Sequence, residues 1–202
     1  MTELPRGLRP RTPSPPGTPL SLEASARRLG HYCWIEMRAF ETLGAWSASV
    51  PETEVRAMLA IHSRQHAWHA ELWHDLLPVI GEAGAERFIE PPNANVTAFV
   101  EALSTPGAPE LTIEKLAGVY RVLVPRAVAT YEHHLTGASP VSDGPTMRAL
   151  RLVLADQGQH WREGEATLQS LLRSDADVDR VTSHQARLEK LWVAAGGLAG
   201  AS

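Results

Sequence analysis

Long stretches with apolar residues at three- and four-residue steps, and no strand-like alternation, predict an all-α protein: a four-helix bundle with one long crossover and an additional C-terminal helix. Four such stretches cover about 21–48, 51–80, 112–135 and 145–172. The links between them run short, long, short, which describes two antiparallel hairpins joined by a crossover.

Each element has its own warrant. Ser21 is a fitting N-cap, and Leu22, Ala26, Leu29, Cys33, Phe40 and Leu43 mark one face of the first helix. Pro51 suits the opening of the second helix, which the pattern carries to Ile80, before Gly81 and Gly84. Residues 81–111 are rich in Pro, Asn and Gly around a short helical piece at 95–103, and supply the crossover. Pro125 should kink the third helix, because it removes the bond to the Arg121 carbonyl. Pro145 opens the fourth helix after the turn from Gly137 to Gly144. A fifth helix at 178–195 carries Leu188, Leu191 and Trp192 and should pack across the bundle.

A chain of 202 residues with 44% apolar and 21% charged residues suits one helical domain, 21–195. Residues 1–20, where six prolines and three arginines fall within the first nineteen, read as a disordered tail, and 196–202 as a flexible one. The balance of 19 basic against 23 acidic residues offers no basic face, which argues against nucleic acid. No apolar run suggests a signal peptide or a membrane span, and a lone cysteine, Cys33, excludes an intrachain disulfide. The expectation is a soluble cytoplasmic protein, compatible with a small-molecule substrate and with a homo-oligomer.

Three histidines stand where the second helix should carry core leucines. The seam Val55, Leu59, His62, His66, His69, Trp73, Leu76, Ile80 keeps one face toward a partner. A buried imidazole without a partner costs about 1–3 kcal/mol, so something inside must hold the three rings. Glu36, on the seam of the first helix, falls at their level if the hairpin is antiparallel. The fourth helix resembles the second locally: aligning Gln65-His66 with Gln159-His160 pairs His62 with Asp156, His69 with Glu163 and Glu71 with Glu165. His160 lies toward the edge of that helix's apolar face, centred near Leu150, Gln157 and Leu168, and the two acids lie further out. In the third helix Leu123, Ala127 and Thr130 reach the common level without a carboxylate; Glu132 faces away, whereas Tyr131 and His134 face inward.

This arrangement resembles the ferritin-like superfamily, whose bundles bring a Glu from each of two helices and a Glu-x-x-His from each of the other two onto a pair of metals. By position, Glu36 matches the first-helix glutamate, His66 the histidine of the second-helix motif and His160 that of the fourth. Ser63 and Gln157 stand where the motif has glutamates, and the third-helix glutamate is absent or displaced to Glu132. A fainter resemblance to the DinB-like family lies in three metal-binding histidines, which that family draws from different helices.

The resemblance implies a metal-binding protein, a non-haem iron oxidoreductase acting on a small organic substrate with dioxygen. The expected ligands are Glu36, His62, His66, His69 and His160, with Asp156, Gln157, Glu132, Tyr131, His134 and Glu163 as outer partners. Mononuclear or dinuclear iron is the leading metal, with manganese or zinc as alternatives. The competing expectation is a degenerate bundle that has lost its metal and serves as a non-enzymatic assembly or interaction protein. Trp34, Trp46, Trp68, Trp73 and Trp161 read as an aromatic packing shell, and Cys33 as a small buried residue.

Overall fold

Ser21 does cap the first helix, its hydroxyl accepting the Ala24 N–H at 3.1 Å, and α1 runs Leu22–Ser49. The computed structural model describes residues 20–79 and 84–197, and all regular structure among them is helical. The expectations for residues 1–19, Ile80, Gly81 and 198–202 lie outside these. After a three-residue link α2 spans Thr53–His74. A 3₁₀ turn at Ala85–Phe88, α3 (Ala94–Ser104) and a second 3₁₀ turn at Pro109–Leu111 make up the crossover. The third long segment is composite: α4 (Thr112–Ala117), a π-helical turn (Gly118–Leu123) and α5 (Val124–Gly137). Then follow α6 (Gly144–Leu171) and α7 (Asp175–Ala195).

Side-chain bonds fix how the long segments run. Between α1 and α2, Ser47 meets Arg56, Phe40 meets Ser63, Glu36 meets His66, and Ala70 meets Cys33, an antiparallel register. Met58, His62, Gln65 and His69 of α2 meet Thr167, Glu163, His160 and Asp156 of α6, again antiparallel. Tyr131 of α5 reaches Glu36, while Tyr32 packs on both Tyr131 and His134, so α5 opposes α1. Arg121, in the π turn, forks onto Glu165 of α6. Thus α2 and the α4–α5 segment are parallel to each other, and the chain needs residues 75–111 to return from one end to the other.

Three expectations need correction. The second helix stops at His74, six residues short of Ile80, because Pro78 has no N–H for the His74 carbonyl and its ring would strike it. The Leu77 N–H bonds that carbonyl instead, at 2.9 Å. Phe40 is 42% exposed. The buried stripe of α1 goes from Glu36 through Ala39 to Leu43, and Ile35 and Ala39 line one cavity with Leu123 and Ala127, which leaves Phe40 on the outer side. The aromatic shell is incomplete: Trp46 and Trp73 are buried, but Trp68 and Trp161 are 41% and 46% exposed.

Pro125 disturbs its helix upstream of itself. The Val124 N–H bonds the Val119 carbonyl five residues back, so the turn before the proline widens into a π turn that absorbs the missing bond. This places Tyr120 inside, its ring lying where any Cβ on Gly164 would fall. The crossover is held by a similar close approach, the Phe88 carbonyl resting against Gly30 of α1. Layered over α4 and the π turn, α7 begins with a capping box between Ser174 and Asp177 and ends at Gly196 with φ 71°. Phe99 of α3 stands edge-on to Trp192 of α7 at 5.1 Å.

Candidate metal centre

Glu36 sits in the middle of these helices, 2% exposed. An ionised carboxylate survives there only if its lone pairs are met, and four groups from three other elements converge on it. Tyr131 of α5 donates its hydroxyl to Oε1 at 2.6 Å and Gln157 of α6 donates Nε2 to the same atom at 3.3 Å. From α2, His66 Nδ1 lies 2.5 Å from Oε2, and His69 Nδ1 stands 3.5 Å from it. Burial alone would raise the acid's pKa, but the two imidazoles outweigh it and hold Glu36 below the ordinary carboxylate range.

His66 and His69 present the same ring nitrogen to one carboxylate, and the three ligating atoms lie within 4.8 Å of one another. This group could hold a metal ion. His69 Nε2 is 3.1 Å from Asp156 Oδ2, a carboxylate that can only accept, so Nε2 carries the proton of the neutral ring and Nδ1 is the free lone pair. Such an outer acid is how ligating imidazoles are commonly fixed in tautomer and orientation. Burial tends to lower the His69 pKa; the Glu36 and Asp156 carboxylates reverse this and raise it. His69 Nδ1, His66 Nε2 and Gln157 Oε1 are buried without hydrogen-bond partners, unmet atoms of the kind an ion or small ligand would satisfy.

His62 and His160 form a separate layer against this group. Their rings stack at 4.0 Å and 27°. His62 is saturated, with Nδ1 2.7 Å from the Tyr120 hydroxyl and Nε2 3.0 Å from Glu163 Oε2. Coordination by either nitrogen would break a bond. His160 donates Nε2–H to Gln65 Oε1 at 2.6 Å and keeps Nδ1 buried and unpaired. Its pKa is pushed down to about 2 by burial and by the neighbouring imidazoles, so the ring is neutral.

The outer candidates divide in the same way. Tyr131, Gln157 and Asp156 touch the core group directly. Glu163 meets His62, and Gln159 on its own helix, but not the Glu36 group. Glu132 is exposed and reaches nothing at the site. His134 is buried but packs on Tyr32 and makes no bond to Glu36. Cys33 is buried, donates weakly to the Ala70 carbonyl at 3.4 Å, and has its thiol pKa raised to about 11, chiefly by burial. Two partners escaped the sequence reading. Gln65 is adjacent to His66 in the repeated Gln-His pair and could have been found there; Tyr120 had no signal, because the π turn sets its facing.

A cavity of about 10 Å³ adjoins the group. Ile35, Ala39, Leu123 and Ala127 form its apolar wall, and Glu36, His66 and Gln157 its polar one. Comparison with protein-family models, curated proteins and solved structures finds no match to this chain. No helix among the described residues is long and apolar enough to cross a membrane.

Proposed function

We propose that the protein is a ferritin-like metal-binding bundle whose ion is held by Glu36, His66 and His69, and that it belongs to the non-haem oxidoreductase kind. The observation that carries this reading is the convergence of two imidazole Nδ1 atoms and one carboxylate in the buried core. The antiparallel hairpins with their crossover support the same resemblance. Two histidines and one carboxylate suit Fe(II) with open positions, and the same donors accept manganese or zinc. When bound, iron supplies one-electron chemistry with dioxygen. A single ion is the better fit, since Leu123 and Ala127, which line the adjoining cavity, offer no carboxylate to a second.

The chain's own groups prepare the site. Tyr131 and Gln157 hold Glu36 Oε1, which leaves Oε2 for the ion; Asp156 holds His69 with its lone pair inward. His160 lies behind His66, their ring centres 5.4 Å apart. Imidazoles coordinate only through an unprotonated nitrogen, so affinity should rise with pH.

A second reading is favoured by one observation: Glu36 already accepts bonds from Tyr131 and Gln157 and is paired with His66. That network is coherent without metal, as expected of a degenerate bundle serving as an assembly or interaction protein. Metal analysis after purification without chelators and anaerobic iron loading separates the two. The first reading expects about one equivalent, lost in both Glu36→Ala and His66→Ala; no bound metal supports the second. Dioxygen uptake by the reduced, loaded protein then distinguishes an oxidase from a structural zinc site.

A further inference from the structure

We infer that the cavity beside Glu36 and His66 is a pocket for one ligand of one or two heavy atoms, and that Ala39, Leu123 and Ala127 set this size limit. The inference rests on the metal reading and adds to it the class of molecule that can stand next to the ion. About 10 Å³ in which the centre of a water-sized molecule can move is room for a water or a diatomic and far too little for a ring. Every residue lining the cavity is buried, so none stands at the surface where it could swing aside.

The walls are chemically divided. Ala39 of α1, Leu123 of the π turn and Ala127 of α5 present only hydrocarbon, which neither orients nor attracts a charged or multiply hydrogen-bonding molecule. Gln157 and His66, which also line the cavity, each own a buried polar atom without a partner, Oε1 and Nε2. A water or a diatomic molecule can sit among these groups; a ring or a carboxylic acid has no room. The expected organic substrate therefore has no place beside the ion, and the alanines at 39 and 127, with Leu123, act as specificity-determining residues.

The test uses the full chain loaded anaerobically with Fe(II). Nitric oxide and imidazole serve as small and large probes, read by electron paramagnetic resonance and absorption, with metal content and circular dichroism measured on every sample. The native protein is expected to bind nitric oxide and to give no spectral response to imidazole. Ala127→Leu should weaken nitric oxide binding about tenfold to a hundredfold at unchanged metal content, the range expected from overfilling a packed space. Leu123→Ala should gain an imidazole response. If Ala127→Leu fails to fold, Ala39→Val narrows the pocket from α1 instead and should weaken nitric oxide in the same direction. Imidazole binding to the native protein, or unchanged nitric oxide affinity in a folded, metal-loaded, wall-filled variant, overturns the pocket assignment alone. A native protein that takes up no metal overturns the metal reading and the assignment with it.

Discussion

Replacing Gln157 with Glu would place a second carboxylate in contact with Glu36, and the structure fixes the consequence. The Gln157 amide nitrogen is 3.3 Å from Glu36 Oε1. Two full charges at that separation repel by about 5 kcal/mol at an effective dielectric constant of about 20. The new acid can escape by taking up a proton, which at pH 7 costs about 4 kcal/mol for a group with an ordinary pKa near 4.3. The smaller cost governs, so Gln157→Glu should lose about 4 kcal/mol at pH 7 in the presence of a chelator. The protonated acid is nearly isosteric with the amide and can donate to Oε1 as the amide does. Its pKa is therefore raised in the folded state, and the loss should shrink as pH falls toward about 4.5. A divalent ion between the carboxylates reverses the balance, so saturating Mn²⁺ or Fe²⁺ should recover most of the deficit. Urea denaturation at two pH values, with and without metal, measures all of this. A variant as stable as the native protein at pH 7 in chelator would refute the placement of Gln157 against Glu36.

Other outcomes follow from particular contacts. Gly164→Ala should cost about 1–3 kcal/mol by pressing on the Tyr120 ring; a double-mutant cycle with Tyr120→Ala should show strong coupling, and additivity would speak against the contact. His134 has its pKa lowered to about 4, chiefly by burial, so the folded state prefers the neutral ring while the unfolded chain takes up protons below about 6.5. Stability contributed there is full above about pH 6.5 and falls by about 3 kcal/mol on reaching pH 4. His134→Phe should flatten that part of the stability profile, and an unchanged acid limb would contradict it. Asp156→Ala should weaken metal affinity about tenfold to a hundredfold, read by competition with a chelator, while leaving the fold intact.

How far these features could be read from sequence depended on which were periodic. The helix faces repeat, so the all-helical class, the Ser21 cap, the inward turn of His62, His66 and His69 and the central place of Glu36 were legible in the residue pattern. Events at single residues were not. Pro78 ended α2 early because a breaker outweighs a continuing seam. Pro125 was expected as a kink, but the chain relieved it with a π turn one turn earlier, and only that rotation brings Tyr120 to His62. By spacing alone His62 is equivalent to His66 and His69, since spacing carries no information about the opposing helices. Tyr120 and Glu163 take up both of its ring nitrogens, and neither partner is visible from α2 alone.

Anomalous diffraction at the iron edge, from crystals of the iron-loaded full chain, bears most directly on the proposed centre. A single peak about 2.0–2.2 Å from a Glu36 carboxylate oxygen and from Nδ1 of both His66 and His69 is the expected result. A difference map with no peak among those three side chains, in crystals whose iron is found elsewhere or not at all, would contradict it.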